Sequence, residues 1–115
     1  MRLPGGERAI IPEGKIERYC LDPAHTVGGH KAVVFASALG LTFRNADLLR
    51  AALLAAARSE PAVFLYRDRY GDRYRVDFPM RHQERQRTVR SGWTVRQPGG
   101  PPYLTTAFVL PSSHG

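Results

Sequence analysis

"RYRVDF", residues 73–78, is the stretch that decides the fold class. Tyr74, Val76 and Phe78 alternate with Arg73, Arg75 and Asp77. A period of two places the apolar side chains on one face of a strand and the charged ones on the other. The alternation returns in "RQRTVRSGWTVRQ" (85–97), where Val89, Trp93 and Val95 oppose Thr88, Arg90, Thr94 and Arg96. "PGGPP" (98–102) is a turn signal, and "YLTTAFVL" (103–110) reads as the last strand. "VFLY" (63–66) reads as a short first strand, and "MRHQERQ" (80–86) as a loop between the second and third.

Upstream of residue 61 the period is nearer 3.6. "PEGKIERYCL" opens with Pro12, suited to a first helical position, and spaces Ile16, Tyr19 and Cys20 along one face. Pro23 stops that helix. "HKAVVFASALG" follows, apolar on nearly all sides and ended by Gly40, which suits a helix central to the core. The third, "FRNADLLRAALLAAARS", has Asn45 as N-cap and Leu48, Leu49, Ala52, Leu53 and Ala56 as its stripe. Helices before strands imply the α+β class, with about three N-terminal helices on one face of an antiparallel sheet of three to four strands. One domain spans 1–115: helical over 12–60, sheet over 61–110, and a loose tail over 111–115. The covered sheet face takes Tyr74, Val76, Phe78, Val89, Trp93 and Val95. The opposite face presents Arg73, Arg75, Arg90, Thr94 and Arg96.

That second face matters because the charge is uneven. The chain of 115 residues has 17 Lys+Arg against 10 Asp+Glu, a net of +7, and a pI near 10.3. Two of the cations are lysine, and the rest are arginine, whose planar fork suits phosphate. Nine arginines and four acids fall in residues 61–115. The balance points to RNA, DNA or an acidic protein partner. Arginine with threonine is a phosphate-binding combination. Tyr66, Tyr70 and Tyr74 interleave with Arg67, Arg69, Arg73 and Arg75 and suit unpaired bases. The alternative is a solvated face with cross-strand pairs to Asp68, Asp72 and Asp77. A lone cysteine, Cys20, leaves no internal disulfide or cysteine zinc site and suits a reducing cytoplasm. "MRLPGGERAI" has no signal-like apolar run, and no stretch is long enough to span a membrane.

A second constellation is "DPAHTVGGHKA", residues 22–32. His25 and His30 lie five apart, a poor helical metal spacing, with Asp22 the only carboxylate nearby, so no metal or other cofactor is expected. Two histidines beside Lys31 at a helix start could move protons and hold a phosphate, which metal-independent RNA cleavage requires. A plain interhelical turn with a solvated Lys31 is the other reading. P-loop, GxGxxG and GxSxG motifs are absent.

Six pieces in order, "LPGGERAII", "KIERYCLDPAHTVGGHKAVVFASALGLT", "LLRAALLAAA", "YGDRYRVDFPM", "RTVRSGWTV" and "PYLTTAF", resemble a small bacterial domain of unknown function, number 6883. The resemblance implies a cytoplasmic protein of toxin–antitoxin-like gene pairs. Helices followed by a sheet ending in "LTTAF" are also similar to the barnase–EndoU–colicin–RelE group of ribonuclease toxins. That likeness implies a metal-independent endoribonuclease restrained by a small acidic antitoxin. It assigns His25, His30, Lys31, Arg90, Thr94 and Thr105 to catalysis, with Arg73, Arg75 and Arg96 holding the RNA backbone. Phe108 stands where that group's ending has tyrosine. The competing reading is a non-catalytic basic domain that binds nucleic acid or an acidic protein.

Overall fold

The computed structural model describes residues 1–112, so the expected loose tail lies, after Ser112, outside the described residues. Strands β1 (Ala62–Asp68), β2 (Gly71–His82), β3 (Arg85–Val95) and β4 (Pro102–Val109) form one antiparallel sheet in chain order. Helices α1 (Gly29–Leu39) and α2 (Ala46–Ser59) and a helical turn over Ile16–Cys20 precede it. The class is α+β. Among the described residues no single helix is long and apolar enough to cross a membrane.

The helix expected from Pro12 begins later than its sequence suggests. Lys15 N–H closes a turn on the Pro12 carbonyl (3.0 Å), and Gly14 sits at φ 78°. A left-handed residue cannot continue an α-helix. Ile16–Cys20 winds instead as one π turn, closed by Cys20 N–H to Lys15 O and Leu21 N–H to Ile16 O. Ile16 and Cys20 reach the core. Helix α1 ends where expected, with Gly40 at φ 69°. It is not buried all round, however. Ala32, Phe35 and Leu39 face the core, while Val33 is 51% exposed.

Asn45 does not cap α2 with its side chain. Its Oδ1 accepts the Thr42 N–H (2.9 Å) in a capping box around a 3-10 turn, Phe43–Asn45. In α2, Leu49, Leu53 and Ala56 are buried as expected, whereas Leu48 faces out and Ala46 and Ala57 face in. The stripe is thus rotated slightly from its sequence estimate.

The loop expected over 80–86 is mostly strand. β2 and β3 stay paired as far as His82 and Arg85, leaving the turn Gln83–Glu84. Gln83 takes φ 58°, which sequence reading reserves for glycine or asparagine. The hairpin tip docks on the end of α1. His82 Nδ1–H donates to the Leu39 carbonyl (2.6 Å) and Arg85 to Ser37 O (3.4 Å), meeting carbonyls that α1 leaves open.

The covered sheet face is as expected: Tyr74, Val76, Phe78, Val89, Trp93 and Val95 are all buried. α1 packs on β3 and β4, and α2 packs on β2. Cys20 joins this core, and burial pushes its thiol from 9.0 up to about 11. The unfolded thiol ionises near pH 9 while the folded one stays neutral. Stability owed to this group is therefore complete below pH 9 and lost as pH rises toward 11, by about 2–3 kcal/mol. Urea unfolding of wild type and Cys20→Ala across that window checks it. The gap between the two should narrow with pH, and a constant gap would refute the account.

Candidate nucleic-acid interface

The open face is organised in rows that cross the strands. Arg73 lies opposite Thr94, and Thr94 opposite Tyr103. Arg75, Gly92 and Thr106 make the next row, then Asp77, Arg90 and Phe108. Opposed residues share a face, so the period-two pattern of β2 and β3 dictates these rows.

The first row underlies an open cleft of about 580 Å³. Arg69 and Tyr70, from the β1–β2 turn, form one wall. Pro12 and Lys15 form the other. They follow Ile10, which lies beside β4: Ile10 N–H donates to Pro102 O (2.9 Å) and Leu104 N–H to Ile10 O (3.0 Å). Arg96 and Thr105 complete the lining. Thr105 is the extra residue at an irregularity opposite Gly92 and Trp93. Gly92 makes room for it, because a Cβ there would lie 3.0 Å from Thr105 Oγ1.

Arg73 is paired with Asp68 at 3.1 Å. Burial opposes ionisation of Asp68, yet Arg73 and the Tyr70 N–H hold its carboxyl below its ordinary value. Lys15, Arg69 and Arg96 have no carboxylate within ion-pair distance among the described residues. They lie over rings instead: Arg96 is 3.6 Å from the Tyr103 centroid, Lys15 4.9 Å from Tyr19 and Arg69 4.9 Å from Tyr70. Thr94 is only 5% exposed, and its Oγ1 has no hydrogen-bond partner among the described residues. A buried hydroxyl left unpaired costs about 1–3 kcal/mol. Thr94 is also one of the residues that line the cationic cleft.

Lys31 comes round from the first turn of α1 to the second row. Its Nζ donates to Thr106 Oγ1 (3.2 Å) and Tyr19 Oη (3.4 Å) and lies 4.9 Å from the Phe108 centroid. The Tyr19 and Thr106 hydroxyls are 3.0 Å apart. In the third row Asp77 takes both Arg90 bonds at 2.9 Å and lies 4.0 Å from Arg75.

The expected site residues therefore separate. Thr94, Thr105, Arg73 and Arg96 share the cleft, and Lys31 stands at Thr106. Arg90 is held by both Asp77 oxygens and Arg75 stands 4.0 Å from the same carboxylate, while Arg73 is held by Asp68, so none of these three expected phosphate cations is free of a carboxylate. His25 closes its own turn: Nδ1 accepts from Val27 N (3.0 Å) and Gly28 N (2.9 Å), and the ring meets Tyr19 edge-on at 5.1 Å. The His30 side chain is exposed and makes no hydrogen bond, ion pair or ring contact among the described residues. Tyr74 lies in the core and cannot stack on an open-face ligand. The cross-strand pairs to Asp68, Asp72 and Asp77 all form. Lys15, Tyr19, Tyr103 and Thr106 escaped sequence reading, because only the fold carries residues 10–19 alongside β4.

A family model described as Domain of unknown function (DUF6883) matches residues 2–111. The chain belongs to that family. No curated protein matches it, and no solved structure does. The match takes in both walls and the lining of the DUF6883 cleft, from Pro12 to Thr105.

Proposed function

We propose that this domain is a basic module that binds RNA on the open face of its sheet. One observation carries the reading: Lys15, Arg69 and Arg96, none of them paired with a carboxylate among the described residues, converge with Arg73 on a cleft lined also by Thr94, whose buried hydroxyl has no hydrogen-bond partner among the described residues. Phosphate suits each part, since arginine and lysine supply charge and threonine a directed donor. An acidic protein would meet the same charges with carboxylates, and competition by an RNA oligonucleotide separates the two ligands.

Each phosphate contact releases counterions, at about 0.7 units of log K per log salt for a single strand. The three cleft cations free of carboxylates, Lys15, Arg69 and Arg96, thus give a slope of roughly −2. Anisotropy of a labelled RNA between about 50 and 200 mM salt measures it. Arg96→Ala should weaken binding and flatten the slope by about 0.7. Binding that ignores salt would overturn the proposal.

A second reading, a metal-independent endoribonuclease toxin, is favoured by the Lys31–Tyr19–Thr106 cluster. In RNA cleavage the 2′-hydroxyl loses its proton and attacks phosphorus while the bond to the 5′-oxygen breaks and that oxygen takes up a proton, so the protein supplies proton transfer at both ends and positive charge. Lys31 offers the charge, and the Tyr19 and Thr106 hydroxyls offer a hydrogen-bonded path to it. A small acidic antitoxin would then cover the cationic cleft in the bacterial cytoplasm. Induced expression should arrest growth and degrade RNA, with Lys31→Ala relieving both. RNA left intact by the wild-type protein would leave the binding reading alone.

A further inference from the structure

Given that RNA-binding face, we infer that the cleft takes unpaired strands, seating one phosphate at Arg73 and Thr94 with bases stacked on Tyr70 and on the Arg96–Tyr103 pair. The anion-binding groups are recessed: the Arg73 side chain is 23% exposed, with Nε and Nη2 on Asp68 and Nη1 left for an anion, and Thr94 is 5% exposed. The planar groups are more exposed. Tyr70 is 55% exposed on the β1–β2 turn, with Arg69 donating to its hydroxyl (2.8 Å). In the same lining the Arg96 guanidinium lies over the Tyr103 ring, and Arg96 is exposed to solvent.

Base faces are available only in unpaired strands. A duplex buries them in its own stack and shows a protein base edges and backbone. Two planar platforms beside a recessed phosphate position are therefore of little use to a duplex. A flexible strand can use all three at once, as single-strand binding surfaces do. The cleft volume of about 580 Å³ lies within the range of small-ligand pockets, about 300–1,000 Å³. That size suits one nucleotide unit of a strand that continues across the face toward Lys15 and Lys31.

The test compares one RNA oligonucleotide, single-stranded and annealed to its complement, at equal salt. The single strand should bind at least about tenfold more tightly. Tyr70→Leu keeps an apolar side chain, and Arg96→Lys keeps the charge without the plane. Each should lower single-strand affinity about 5- to 100-fold, the scale of losing one stacked base, with circular dichroism verifying the fold. Duplex affinity should fall much less. Equal affinity for both forms, or variants that bind the single strand as wild type does, overturns the inference. Salt-dependent binding would still uphold RNA recognition in that case. Binding of neither form overturns both readings.

Discussion

Trp93→Ala should cost this domain about 3–5 kcal/mol, a large part of the ~5–15 kcal/mol that holds a domain folded. Trp93 is the largest fully buried side chain and 1% exposed, opposite Tyr74 on β2 and Leu104 on β4. It also anchors a buried polar relay. The indole N–H donates to Ser91 Oγ (2.8 Å), and that hydroxyl donates to the Val76 carbonyl (2.7 Å). Removing the ring leaves a cavity between helices and sheet as well as a broken relay. Ser91→Ala removes only the relay and should cost about 1–3 kcal/mol, because the indole N–H is then buried without an acceptor. Thermal unfolding should rank the variants wild type, Ser91→Ala, Trp93→Ala. At about 4 °C per kcal/mol, Trp93→Ala should melt at least ~12 °C below wild type. Trp93→Ala melting within a few degrees of wild type would mean the core does not rest on this ring.

Gly71→Ala should be comparably severe, at about 2–6 kcal/mol, and should also open the cleft. Gly71 has φ 131°, and a Cβ there would stand 2.2 Å from the Val95 carbonyl oxygen and 2.8 Å from Arg96 Cα. The strained dihedral alone costs about 1–3 kcal/mol, and the clash adds about 1–3 kcal/mol of overpacking. The obstacle is backbone, so relief requires the β1–β2 turn to move off the end of β3. That turn carries Arg69 and Tyr70, and β3 leads into Arg96, so the two sides of the cleft part. Gly99→Ala is the control, since Gly99 has φ 80° but nothing within 4 Å of the added Cβ. Urea unfolding and RNA anisotropy on both variants measure the two effects. Equal losses in both would show that conformational strain, not the close approach to Val95, decides.

Sequence alone resolved the covered face of the sheet because alternation is a local property. Tyr74, Val76 and Phe78 in β2, and Val89, Trp93 and Val95 in β3, were each placed by the residues beside them. The β2–β3 turn was misread for the opposite reason. Gln83 carries no left-handed signal, and its φ of 58° goes with a hairpin whose tip bonds to the end of α1. Pro12 suits a helix start and so suggests a longer helix than Ile16–Cys20, while the positive φ of Gly14 that delays it has no sequence signal beyond glycine itself. In the candidate site, Arg73, Thr94 and Arg96 were legible as a cationic face. The pairing of Arg90 with Asp77 was legible only as one of two alternatives.

The residues by themselves determined the α+β class, the buried face and an excess of arginine on the other. Those follow from periodicity and composition, which need no knowledge of distant contacts. Tertiary structure decided which cations remain free of carboxylates, where Lys15 and Lys31 arrive, and that His30 stays outside. Each of those depends on contacts between residues far apart in the chain, such as Thr106 with Lys31 and Tyr103 with Ile10. A local pattern carries no record of such pairs, because strand register and the path of the N-terminal segment are set by the packing of the whole core.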